Sequence, residues 1–245
     1  MLEPCVNQAA GLAGLAGPSV PRLIAAASHG KQQGELPLLW GLCTSWVEMG
    51  LSVIVLDGHS QESDGNPGLW HVLNAAQPGL SADPQPQPWS VMPAGLGIEW
   101  LSNTGANVQA LGHLLQQHKI VVIYAPASAL TVLLRGTGIS PLLVVPPLKS
   151  ATLTAYQALK HMLTDAGLEP TVASITLAPI GRSAQLSPVQ TLRDCAKSFL
   201  GIQLRPIDLN ALASEPQSEQ EITHLALQLL ENAMTLERHT KDWTH

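Results

Sequence analysis

From Ser28 to Pro37 the chain reads Ser-His-Gly-Lys-Gln-Gln-Gly-Glu-Leu-Pro, a glycine-bearing turn placed where a phosphate-binding loop would open a helix. Such a loop aims backbone N–H groups at phosphate oxygens, while a lysine neutralises charge and a Ser or Thr hydroxyl holds magnesium. The working pattern is G-x-x-x-x-G-K-[ST]. Matching Gly34 to its last glycine puts Glu35 at the lysine position and Leu36 at the hydroxyl position. Moving the register by one residue puts Leu36 and Pro37 there instead, so neither alignment restores a magnesium ligand. A carboxylate aimed at a triphosphate adds repulsion in a site built for anions. The expectation is a degenerate nucleotide site made of Gly30, Lys31, Gly34, Glu35 and Leu36, with Asp57 at the end of the next strand.

Other residues able to do chemistry give weaker signals. Asp57 has no partner acid and is expected to cap a turn rather than hold a metal. Lys31 reads as a solvated loop lysine. His29, His59 and His71 lie near the would-be nucleotide face without metal-ligand spacing, and Cys5, Cys43 and Cys195 are isolated from one another, so no metal site and no disulfide frame is expected. Ser128, Ser183 and Ser187 lack the glycine-framed turn of a nucleophile elbow. Trp40, Trp46, Trp70, Trp89 and Trp100 fall at element edges and read as core filling, with Trp70 a candidate contact residue.

The elements that must position these residues alternate. Arg22 to Ala27 is an apolar strand, Leu38 to Met49 a helix stopped by Gly50, and Leu51 to Asp57 a second strand. His59 to Pro88 is rich in Gly, Pro, Gln, Asp and Ser, with a helical turn at 70–73. Strands are predicted at 89–93, 119–124, 141–146, 171–177 and 203–207, and helices at 107–118, 151–166 and 187–200. Continuous apolar strands alternating with helices predict an α/β fold with a mostly parallel sheet covered on both faces. The last helix, 219–238, carries Ile222, Leu225, Ala226, Leu229, Leu230 and Ala233 on one stripe. Its polar face holds Glu219, Glu221 and Glu231, poor for anionic lipid, so it is expected to pack on the sheet or on a second subunit.

The division expected is an N-terminal segment 1–21, an α/β domain 22–213 and a C-terminal helix and tail 214–245. Among 245 residues, 12 basic against 18 acidic side chains give a formal charge of −6, which disfavours a bulk grip on nucleic acid or on an anionic membrane. Charged residues are 12 % against 45 % hydrophobic, a sparse surface that points to partial cover by a partner. No signal peptide or uncharged membrane-spanning run is read, so a soluble cytoplasmic protein is expected, with peripheral membrane or polar recruitment left open.

Three places carry a family likeness. Asn7-Gln-Ala-Ala-Gly-Leu12, Ser150-Ala-Thr-Leu-Thr-Ala-Tyr-Gln-Ala-Leu-Lys160 and Phe199-Leu-Gly201 are similar to motifs of the FlhG (FleN) branch of the MinD/ParA family of deviant P-loop ATPases, which sets flagellar number and placement in bacteria. The resemblance spans nearly the whole chain. It implies that Asn7, Gln8, Ala9 and Leu12 dock a signal-recognition-type GTPase like FlhF. It also implies where function is missing: the family's signature and catalytic lysines fall at Gly30 and Glu35, its magnesium-binding Thr at Leu36, its second acid at His59 and its switch acid at Tyr124. Losing the cation, the metal ligand and two acids removes both binding and positioning of the attacking water. The expectation is a non-catalytic regulator of flagellar assembly without a cofactor. The alternative is an active ATPase that dimerises around ATP and Mg2+, with Lys31 or Arg135 standing in for the missing cation. A DNA-partitioning relative is disfavoured by the acidic balance.

Overall fold

The computed structural model describes residues 20–30, 32–74, 89–105, 108–176, 187–210 and 215–236. Seven strands run parallel in the order β3-β2-β4-β1-β5-β6-β7: β1 Arg22–Ser28, β2 Val53–Asp57, β3 Trp89–Pro93, β4 Ile120–Pro126, β5 Leu142–Val145, β6 Thr171–Thr176 and β7 Ile207–Asn210. An eighth, β8 Met234–Thr235, pairs antiparallel with Arg22 and Leu23 at the start of β1. Beside it β5 pairs with Ala26 and Ala27, so the two share one edge of β1. The expected parallel α/β sheet is the architecture of the chain.

Strand alternation sorts the core onto two faces, because successive side chains of a strand point to opposite sides. Leu23, Ala25 and Ala27 of β1 join Val121, Ile123 and Ala125 of β4 on one face. Ile24 and Ala26 join Ile120, Val122 and Tyr124 on the other. That second face is covered by α1 Gln32–Glu48, which buries Leu38, Leu39, Leu42, Cys43 and Trp46, and by α8 Glu215–Glu231, which buries Leu225, Ala226, Leu229 and Leu230. Each such leucine contributes about 2 kcal/mol of burial. Trp46 joins the two helices, its indole Nε1–H donating to the Ala226 carbonyl at 3.1 Å. The apolar stripe of the last helix is therefore spent on the sheet and α1.

The first face carries α2 Leu69–Asn74, α3 Gly95–Thr104, α4 Ala110–Leu114, α5 Ala127–Leu133, α6 Ala151–Ala166 and α7 Pro188–Cys195, the last continued by a π-helical turn at Ala196–Leu200. Several boundaries differ from the sequence expectation. Helix α1 begins at Gln32, so Glu35 to Pro37 lie within it, and its second turn forgoes the bond that Pro37 cannot donate. Helix α3 has no counterpart in the sequence reading; it carries Gly95 and Gly97, which lower helix propensity, yet Gly97 serves packing, since a Cβ there would come within 2.6 Å of Leu69. Among the described residues of the expected helix 107–118, 110–114 are α-helical. Strand β7 starts at Ile207, not Gln203, since Pro206 offers no N–H to β6. The last helix ends at Glu231 rather than Arg238, and the chain turns into β8, where the Leu236 N–H donates to the Pro21 carbonyl.

Candidate functional site

Parallel strands of this order place β1 at the centre, and the loop leaving its carboxyl end is where such sheets bind ligands. Here the loop is short. Ser28 closes β1, His29 and Gly30 follow, and α1 starts at Gln32. Gly30 takes φ +86°, a left-handed turn that a side chain would strain. Gly34 faces Pro146 beyond β5, so tightly that a Cβ would sit 2.3 Å from the proline Cβ.

Glu35 points inward from the first turns of α1 and is buried at 1 % exposure. Its Oε2 accepts from the Tyr124 hydroxyl at 2.7 Å, and its Oε1 accepts from the His29 backbone N–H at 3.1 Å. The His29 ring is buried beside it: Nε2 lies 3.3 Å from Glu35 Oε1 and 2.8 Å from the Val144 carbonyl, while Nδ1 lies 2.8 Å from Thr154 Oγ1. Facing two acceptors, Nε2 carries the hydrogen. The Tyr124 oxygen also lies 3.3 Å from Ser28 Oγ, which accepts from the Gly30 N–H at 3.4 Å. Burial, and then the Glu35 carboxylate, hold the Tyr124 phenol far above the ordinary tyrosine value. This meeting follows from alternation, since Tyr124 sits on the α1 side of β4, in register with Ala26 of β1 and Asp57 of β2.

Asp57 serves the next turn. Its Oδ1 accepts the His59 N–H at 3.0 Å and its Oδ2 the Ser60 hydroxyl at 2.5 Å. The exposed His59 ring lies 5.2 Å, centroid to centroid, from that of Tyr124. Three residues on, Glu62 is buried and takes three backbone N–H groups: Trp70 at 3.1 Å and Gly97 at 3.0 Å on Oε1, and Leu96 at 2.7 Å on Oε2. One carboxylate thereby caps the first turns of α2 and α3 together, where helix dipoles favour negative charge. Nothing in the residue pattern singles out Glu62. An acid in a Gly- and Ser-rich stretch looks solvated until the two helices are brought to it.

The structure thus brings Gly30, Glu35, Asp57 and Tyr124 to one end of the sheet, with His29, Ser28 and Thr154 as members the sequence did not single out for this role. Gly34 is spent on packing, and Leu36 is 45 % exposed, pointing away from the cluster. Lys31, Asn7, Gln8, Ala9 and Leu12 lie outside the described residues. Among the described residues no group of three or more His, Cys, Asp or Glu side chains could hold a metal ion, and no helix is long and apolar enough to cross a membrane. Where the phosphate-loop pattern has its lysine stands a buried carboxylate paired with loop and strand donors, and where it has its hydroxyl stands an exposed leucine, a poor match to a magnesium triphosphate among the described residues.

No family model matches the sequence, and no curated protein matches it. Solved structures do share its fold. The MinC:MinD cell division protein complex of Aquifex aeolicus matches with a TM-score of 0.59 at 16% identity over 88% of this chain and 98% of that one. A ParA family ATPase from Chlorobium tepidum matches at TM-score 0.52 and 12% identity, over 85% of this chain and 98% of that one. Cobyrinic acid a,c-diamide synthase from Mycobacterium smegmatis, solved with an ATP analogue and magnesium, matches at 0.51 and 14% over 88% and 99%. The chain therefore has the α/β fold of MinD- and ParA-type P-loop ATPases.

Proposed function

We propose that this protein is a non-catalytic, MinD-like regulator of flagellar assembly, number or placement that acts by binding an FlhF-like signal-recognition-type GTPase. The observation that carries the non-catalytic part is the Glu35 cluster. A carboxylate stands where the fold class needs a cation, and Tyr124, where the family has its switch acid, is hydrogen-bonded to it. Reaching a triphosphate would require expelling or inverting that charge. The resemblance of Asn7 to Leu12, Ser150 to Lys160 and Phe199 to Gly201 supports the flagellar part, with Asn7, Gln8, Ala9 and Leu12 as the contact residues. Cytoplasmic placement, with recruitment to the pole or the membrane periphery, belongs to this reading.

Two experiments test it. Calorimetry with millimolar magnesium-ATP is expected to give no heat and no thermal shift; binding would restore the ATPase reading, which the retained Asp57 and the intact β1–α1–β2 frame favour. Deleting residues 1–17 is expected to weaken association with the GTPase at least tenfold, one strong contact cluster's worth. Unchanged affinity would remove the docking role of the N-terminal segment.

A further inference from the structure

The loop that would receive an anion in this fold already has one. We infer that Glu35 is a built-in ligand of the β1–α1 loop: its carboxylate ties the loop amide of His29 to the Tyr124 hydroxyl at the end of β4 and holds the two segments in a single, permanently closed arrangement. The inference rests on the non-catalytic reading and deepens it, because it says what occupies the site in place of a nucleotide and what that does to the loop.

The geometry supplies each part. The anion is tethered, since Glu35 belongs to α1, and it is desolvated at 1 % exposure. Its two oxygens are divided between the loop and the sheet, Oε1 to His29 N at 3.1 Å and Oε2 to Tyr124 Oη at 2.7 Å. The His29 ring extends the tie to β5 and α6 through the Val144 carbonyl and Thr154 Oγ1, both at 2.8 Å. Ser28 is held by the same tyrosine and by the Gly30 N–H. A diffusing phosphate gives such a loop two states, filled and empty. A carboxylate on the loop's own helix is present at an effective concentration no soluble anion matches, so one state remains. The turn after β2 is bound in the same manner, Asp57 taking His59 N and Ser60 Oγ. The loop ends at this edge of the sheet are thus set by internal carboxylates, and any surface they form is presented constantly.

Hydrogen exchange at the His29 amide, measured by NMR on the full chain, tests this. In the wild type that amide exchanges slowly and is unmoved by millimolar pyrophosphate or magnesium-ATP. Glu35→Gln keeps the side-chain volume, removes the charge, and is expected to speed exchange about tenfold, the loss of one charge-assisted hydrogen bond. Tyr124→Phe loosens the other half of the tie and serves should the glutamine variant not fold. In a Tyr156→Phe background Tyr124 is the single tyrosine, and adding Glu35→Gln brings its alkaline absorbance titration down toward the ordinary phenol value. His29 exchange within twofold of wild type in both Glu35→Gln and Tyr124→Phe overturns the inference while leaving the non-catalytic reading intact. A wild-type His29 amide that shifts with pyrophosphate but not with magnesium-ATP overturns the inference alone. Heat on magnesium-ATP binding is the separate result that removes the reading itself.

Discussion

Glu35 and Glu62 are both buried glutamates near the carboxyl end of the strands of one sheet, and they are held by different things. Glu62 is satisfied by three backbone N–H groups from the first turns of α2 and α3. The partners of Glu35 include a loop N–H, a phenol and an imidazole. Backbone donors at helix starts belong to any chain that folds this way, so Glu62 is a structural staple. Side-chain donors must be supplied by particular residues, and His29 and Tyr124 supply them to Glu35. Glu62 joins two helix starts, and Glu35 joins a loop to the end of a strand.

That contrast can be broken or sharpened by substitution. Glu62→Ala is expected to have the largest effect, about 3 kcal/mol in urea unfolding, since three charge-assisted bonds go and two helix starts lose their cap; a cost below that of Glu35→Ala would reverse the ranking. Gly68→Ala tests the same corner by crowding, because a Cβ there would lie 2.1 Å from the Pro93 carbonyl oxygen and 2.6 Å from Glu62 Cγ. About 2 kcal/mol of destabilisation is expected, read as a lowered urea midpoint. Tyr124→Phe should cost about 1 kcal/mol by the same measurement, one hydrogen bond to a charged acceptor less the neighbours' adjustment.

Alkali provides a graded version. Burial raises the Cys43 thiol from 9.0 to about 12 and the Tyr124 phenol well above 10.0, so the folded chain retains protons that the unfolded chain releases. Stability is complete below the unfolded values and falls as pH rises through them toward the folded ones. Denaturant midpoints measured between neutrality and strong alkali should decline from about pH 9, and the portion beginning near pH 10.0 should be absent in Tyr124→Phe. The smallest effect is expected at Leu36, half exposed and turned from the cluster. Leu36→Thr restores the hydroxyl type that a phosphate loop carries, yet should shift stability by no more than about 0.5 kcal/mol and leave magnesium-ATP calorimetry silent.

The amino-acid order alone determined the alternation of apolar strands and helices, hence the parallel sheet, because continuous apolar runs and helical stripes each have one way of being buried. It also placed a glutamate and a leucine after Gly34, where the phosphate-loop pattern has a lysine and a hydroxyl, a reading taken from spacing alone. It did not reveal that α1 begins early enough to carry Glu35 inward, because Pro37 reads as a break unless the surrounding contacts are known. Nor did it reveal helix α3, whose glycines look like disorder until Leus and carbonyls are seen packed against them. The pairing of Glu35 with Tyr124 joins residues 89 positions apart, and that of Glu62 with Gly97 joins residues 35 apart. Strand register and helix packing decide such contacts, and a burial that turns an acid from solvated to structural is a property of the assembled sheet rather than of any local pattern.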